Sequence, residues 1–380
     1  MSLRKSKRGG GTANYDEFHV RDGANRPGNF RLMGMRGDGM KIVAVQALRA
    51  FAAIGVVLHH AIPSLNALRS GVDLFFVISG FIMVHTCWAE FGETGATAMF
   101  LRRRIIRIVP LYWIATALAL VIAIIDGTGV GPSWVTESLL FYPFSARMPV
   151  LDVGWTLNYE MFFYALFGIA LLLPARRTAL LAVSAVLIAI SAFGLAFSVG
   201  RPNIAFPISI EFAFGMAVGY AYCRGVMLDK GYATALIVLG AAIIAVTGIV
   251  NLDPNKDATR VVVWGIPALA IFAGATLPRW HWEGLSSKLM IFLGDSSYSI
   301  YLSHALLLSV LRLLDYRIWL PMLVALCVIA GITVHLYIEG PLQNFLRQRW
   351  TIGGRGEPAR LPDFDPALEA WWERLTLAPL

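Results

Sequence analysis

The sequence predicts an all-α protein, a polytopic membrane bundle of about ten transmembrane helices with cytosolic N- and C-termini. Three observations predict it. Of the 380 residues, 57% are hydrophobic. Only 15% are charged, where a soluble domain carries about 25%. The apolar residues also fall into runs of roughly twenty, the length a hydrocarbon core of about 30 Å demands of a helix.

The runs are 42–62, 70–89, 105–125, 154–173, 178–198, 204–222, 232–250, 261–277, 289–312 and 319–338. Short loops join them, and neither an inserted soluble domain nor an internal repeat is visible. The longest loop, 126–153, holds Leu139-Leu-Phe-Tyr-Pro143, an apolar stretch suited to the interface. Residues 1–40 are polar and glycine-rich, lack the apolar core of a signal peptide and read as a disordered basic cytosolic tail. Met35 and Met40 are alternative starts. Residues 41–345 form the expected membrane domain, and 346–380 a cytosolic carboxy-terminal tail.

The net charge of +8 does not call for nucleic acid, because much of it sits in the tail and short loops. One loop set carries Arg102-Arg103-Arg104, Arg176-Arg177, Arg224 with Lys230, Arg279 with Lys288, and Arg347 with Arg349. The other carries Arg69, Arg147, Arg201, Lys256 with Arg260, and Arg312 with Arg317. The first set is richer and the basic tail joins it, which puts both termini inside. Cys87, Cys223 and Cys327 lie in or beside apolar runs with neither disulfide nor metal-ligand spacing.

Threading this topology sorts the ionisable groups by depth. In the first run Arg49 and His60 are eleven residues apart, about three turns and roughly 16 Å, so they share one helix face. His60, Asp73, Glu160, Glu211 and His304 fall in the outer half, and Arg49, Arg104 and Arg107 in the inner. Ionisable residues at membrane depth mark function by default. Arginines suit a polyphosphorylated cytosolic ligand, although for the triple arginine Arg102–Arg104 taken alone a positive-inside anchor is the stronger explanation. Arg107 lies among Ile105, Ile106, Ile108 and Val109, where snorkelling competes with ligand binding, and Pro110 should kink its helix. Histidine is the natural general base near neutral pH, and a carboxylate can orient it. No metal site is expected, since adjacent His59 and His60 face about 100° apart. Trp155, Asn158 and Glu160 mix aromatic and polar groups that suit either an interface or a saccharide. Tyr298 and His304 lie in a run, 295–304, unusually polar for a span.

The chain closely resembles the acyltransferase-3 family of integral membrane O-acyltransferases, in its exopolysaccharide-modifying branch. The likeness rests on Gln46-Ala-Leu-Arg49 leading to His60 and on Gly71-Val-Asp73-Leu-Phe-Phe-Val-Ile-Ser79-Gly80-Phe. It continues in Arg103-Arg104-Ile-Ile-Arg107-Ile-Val-Pro110-Leu-Tyr-Trp, Trp155-Thr-Leu-Asn158-Tyr-Glu160 and Tyr298-Ser-Ile-Tyr-Leu-Ser-His304. The resemblance implies a ten-helix enzyme of the bacterial inner membrane. It would pass acetyl from cytosolic acetyl-CoA to a periplasmic or lipid-linked saccharide hydroxyl. Its arginine–ten residues–histidine motif lands on Arg49 and His60, and its arginine-x-x-arginine motif on Arg104 and Arg107. Some relatives carry an SGNH hydrolase domain that is not seen here, so transfer is expected to finish within the bundle.

The expected catalytic set is then His60, oriented by Glu160 or Asp73. Arg49, Arg103, Arg104 and Arg107 would bind the donor, and Trp155, Asn158, Tyr298, His304 and Glu211 the acceptor. Direct transfer and an acyl-histidine intermediate both fit, as do acetyl, succinyl and longer acyl groups. A homo-oligomer is left open. Two other classes compete: a glycolipid transporter or flippase, and a structural subunit of a polysaccharide export complex. Neither needs CoA, so binding of CoA by the detergent-solubilised protein would separate the enzyme from both.

Overall fold

The computed structural model describes residues 42–143, 145, 147–196, 207–250, 252, 259–281, 283–315 and 318–351. The expected amino-terminal tail and most of the carboxy-terminal one lie outside the described residues. Among those described, all regular structure is helical. In chain order the helices are α1 (Val43–Ala61), α2 (Gly71–Thr86), α3 (Ala96–Ile125), α4 (Pro132–Leu139), α5 (Trp155–Ala170) and α6 (Arg176–Ala196). They continue with α7 (Ile210–Cys223), α8 (Lys230–Ile249), α9 (Ile266–Thr276), α10 (Gly284–Leu313), α11 (Leu320–Val334) and α12 (Gly340–Thr351).

Each of the ten apolar runs contains helix, and α4 falls in the long loop. Among the described residues, six stretches are both long and apolar enough to cross a bilayer: Val43–Ala61, Asn66–Thr86, Ala96–Ile125, Arg176–Ala196, Lys230–Ile249 and Leu320–Trp350. Helices α5, α7 and α9 are shorter, at 16, 14 and 11 residues. The domain boundary expected at 345 falls inside α12. Helix α3 runs through Pro110 without a break. Nearby carbonyls find side-chain donors: Tyr298 Oη bonds the Ile108 carbonyl at 2.8 Å and Gln343 Nε2 the Arg107 carbonyl at 3.4 Å.

Among the described residues, two π-helical turns interrupt the regular ladder, at Val261–Gly265 ahead of α9 and at His335–Glu339 between α11 and α12. Such turns are rare and frequent at functional sites. The first begins directly after the buried Arg260 and buries Trp264; the second buries Glu339, which accepts from Ser299, His335 and Gln343.

Lipid tails are as apolar as leucine, so close packing rather than hydrophobicity joins the helices. The tightest crossing is α2 on α7. A Cβ on Gly80 would lie 2.1 Å from the Phe212 carbonyl oxygen, and one on Gly215 would lie 1.9 Å from that of Val77. Beside this crossing Phe212 stacks on Phe163, with ring centroids 4.2 Å apart. The crossing fixes the rotation of α2, and so the directions of Asp73, Ser79 and Met83.

Candidate active site

Helices α1, α2, α3, α5 and α10 enclose a cavity of about 270 Å³ lined by Arg49, Ser79, Arg104, Arg107, Glu160 and Tyr298, among others. Arg49 is 8% exposed, and its Nη1 donates to Gln46 Oε1 at 3.1 Å. Gln46 in turn donates to Asp295 at 3.3 Å. Arg104 lies over the rings of Phe100 and Tyr164 and reaches Thr86 at 3.4 Å, while its buried Nε has no partner. Among the described residues no carboxylate comes within 4.0 Å of Arg49, Arg104 or Arg107. The acid lining the cavity is Glu160, which accepts from Ser79 at 2.8 Å and from Tyr164. Three guanidiniums facing one cavity, none of them in a close ion pair, fit a polyanionic ligand.

A second cavity, of about 260 Å³, is lined by His59, His60, Arg69, Met148, Asp152, Trp155 and Arg260. His60 is exposed to it. Val72 and Tyr301 line both cavities and form their shared wall. Tyr301 is held there by hydrogen bonds from its hydroxyl to the Val153 carbonyl at 2.9 Å and with Thr156 Oγ1 at 3.0 Å. The arginine cavity and the histidine cavity thus meet across one aromatic side chain, with Arg49 and His60 on the same helix on either side.

Several expected positions are corrected by this arrangement. Asp73 does not orient His60. It is fully buried and takes a bidentate ion pair from Arg260, at 2.9 Å to Nε and 2.8 Å to Nη2. A forked guanidinium outcompetes a neutral imidazole for a buried carboxylate. Glu211 lies behind that pair, fully buried against Asp73, and lines neither cavity. Glu160 faces the arginine cavity rather than His60. The acid that shares the histidine cavity is Asp152, in the turn before α5; desolvation raises its carboxyl above the ordinary aspartate range, against Arg312 and His60.

Arg103 leaves the donor set. It stands one residue, about 100°, round α3 from Arg104 and pairs with Glu90 at 2.6 Å. Asn158 is buried, lines neither cavity and donates to the Tyr142 carbonyl at 3.4 Å. Tyr298 lies in the arginine cavity. Trp155 alone of the expected acceptor residues lines the histidine cavity. His304 is fully buried behind His60, with Nε2 3.3 Å from His60 Nδ1.

Sequence reading missed Asp152, Arg260, Tyr164 and Glu339. Arg260 directly precedes an apolar run and looks like a loop charge; its burial depends on the π-helical turn that follows. Among the described residues, no three His, Cys, Asp or Glu side chains converge as metal ligands would.

The Acyltransferase domain family model matches residues 42–338, which hold both cavities. The chain is 32% identical over 308 residues to the exopolysaccharide production protein ExoZ of Rhizobium meliloti (strain 1021), covering 75% of this chain and 92% of that one. It is 26% identical over 363 residues to the acyltransferase MdmB of Streptomyces mycarofaciens, covering 83% and 91%. No solved structure matches the chain. Two adjoining cavities, one cationic and one presenting a histidine, within a helical bundle that the family model spans almost end to end, make this chain a member of the acyltransferase-3 family of membrane proteins.

Proposed function

We propose that the protein is a membrane O-acetyltransferase. It moves an acetyl group from cytosolic acetyl-CoA to a hydroxyl of an extracytoplasmic or lipid-linked saccharide, foremost an exopolysaccharide. Family membership supports acyl transfer, and the relative named for exopolysaccharide production supports the acceptor class. The observation that carries the reading is the shared wall. Guanidiniums without carboxylate partners lie on one side, an exposed histidine on the other, and Tyr301 with Val72 between. Ten spans in a bacterial inner membrane, with both termini cytosolic, would open the arginine cavity to the cytosol.

In this mechanism Arg104 and Arg107 hold the phosphates of CoA as charge-assisted partners. Arg49 guides the pantetheine arm towards Tyr301, and Glu160 balances part of the cavity's positive charge. The acceptor lies against Trp155. His60 Nε2 removes the hydroxyl proton as the oxygen attacks the thioester carbonyl carbon. The carbon–sulfur bond breaks, and the departing thiolate takes the proton from His60, giving the O-acetyl ester and CoA. Holding both substrates in line supplies much of the rate. Asp152 faces the imidazolium across the cavity.

The test is transfer of radiolabelled acetyl from acetyl-CoA into the saccharide fraction of membranes. Wild type incorporates label, and a normally inserted His60→Ala falls by about 100-fold or more. Equal incorporation by both would remove His60 as the base. No incorporation by wild type would remove acetyl-CoA as the donor.

A further inference from the structure

His304 is fully buried, lines neither cavity and stands directly behind His60. Its surroundings fix where its hydrogen sits. His304 Nδ1 is 3.2 Å from the Ile300 carbonyl oxygen, and His60 Nδ1 is 2.9 Å from that of Val56. A carbonyl oxygen only accepts, so each Nδ1 must bear hydrogen. The remaining nitrogen of His304, Nε2, then holds a lone pair, and it lies 3.3 Å from His60 Nδ1. The hydrogen on His60 Nδ1 is therefore shared between the Val56 carbonyl and His304. The reverse direction, His304 donating to His60, would strip the Val56 contact of its hydrogen. It would also leave His304 either without a hydrogen for Ile300 or charged, with no carboxylate ligand among the described residues.

We infer that His304 is a positioning residue, a neutral hydrogen-bond acceptor that holds His60 as the Nδ1–H tautomer with Nε2 turned into the histidine cavity. It does not bind the acceptor. As His60 takes up the acceptor proton, the growing positive charge strengthens the bond from Nδ1–H to His304. A carboxylate plays this part in a serine-hydrolase triad. A neutral imidazole does it here without a buried charge, which is costly at membrane depth. Tyr301, whose ring centroid is 5.8 Å from that of His304, packs the ring in place beside the shared wall. This inference rests on the reading of His60 as the base.

The experiment compares His304→Leu, His304→Gln and His60→Ala as full-length proteins in native membranes, with radiolabelled acetyl-CoA as the varied substrate. Leucine removes the acceptor. Glutamine keeps a carbonyl oxygen close to the place of Nε2. The expected result is a maximal rate about 10- to 100-fold lower in His304→Leu, with KM for acetyl-CoA within about twofold of wild type, and recovery of about tenfold or more in His304→Gln. Should leucine prevent insertion, His304→Phe keeps the ring packing without the acceptor and is read in its place. A wild-type rate in the leucine variant overturns the inference, as does a rise in KM alone. Glutamine as inactive as leucine also overturns it, since a proton carrier rather than an acceptor would then be needed. An active His60→Ala would instead bring down the reading on which the inference rests, so the two failures are separable.

Discussion

Asp73 and Arg260 show how much depends on a single partner. Both are within 4% of complete burial, and their two-pronged bond joins residues 187 apart in sequence. Removing one member of such a pair leaves a buried charge and costs about 3–5 kcal/mol. Asp73→Asn is therefore expected to lower the thermal midpoint of the detergent-solubilised protein by several degrees. A variant with unchanged midpoint but lost transfer would return Asp73 to the catalytic set. The cavity arginines make the opposite prediction. Arg107 has no close ion pair to lose, so Arg107→Ala should cost less stability than Asp73→Asn while weakening acetyl-CoA binding by about 10- to 100-fold, the worth of a charge-assisted bond. Arg107→Lys keeps the charge but not the fork and should recover only part of the affinity. Equilibrium binding of labelled acetyl-CoA checks both.

At the scale of elements, helix crossings aim the side chains. The α2–α7 crossing brings backbone against backbone at Gly80 and Gly215, leaving no room for a Cβ. Gly215→Ala is expected to destabilise by about 1–3 kcal/mol through overpacking, and Gly215→Leu to prevent assembly. Yield and thermal midpoint in detergent measure this, and an alanine variant as stable as wild type would contradict so close an approach. Spacing within one helix was readable in the sequence. Arg49 and His60 share a face of α1 because eleven residues are close to three whole turns, and Arg104 and Arg107 share a face of α3 at i, i+3. The turn that Arg260 owes to its π-helical neighbour was not readable, because a widened turn has no residue signature.

At the scale of the whole molecule, the arrangement is two chambers and one wall. Tyr301 closes the wall through Val153 and Thr156, both contributed by the start of α5 and the turn before it. An open wall would let water from one chamber meet a thioester held in the other. Tyr301→Ala is expected to raise acetyl-CoA hydrolysis without acceptor by several-fold, read as free thiol release, while lowering transfer to saccharide. Hydrolysis that stays at the wild-type rate would mean the wall does not separate the substrates.

The sequence by itself determined the all-helical membrane architecture, the ten apolar runs, the family, and the cationic and histidine ends of α1. The architecture and the shared face of Arg49 and His60 follow from helical period and from the cost of leaving backbone groups unpaired in lipid, both of which act over a few residues, whereas the family follows from the resemblance of its ordered motifs. Position along a helix fixes neither the level nor the direction of a side chain in the bundle. Glu160 was placed at the level of His60 yet faces the arginines, Glu211 sits behind Asp73, and Arg103 turns away to Glu90. His304 reached the right end of the bundle, but behind His60 rather than before the acceptor. Only the tertiary structure decided these. Which way a side chain faces is set by the rotation of its helix against its neighbours, and that rotation comes from close packing between residues distant in sequence.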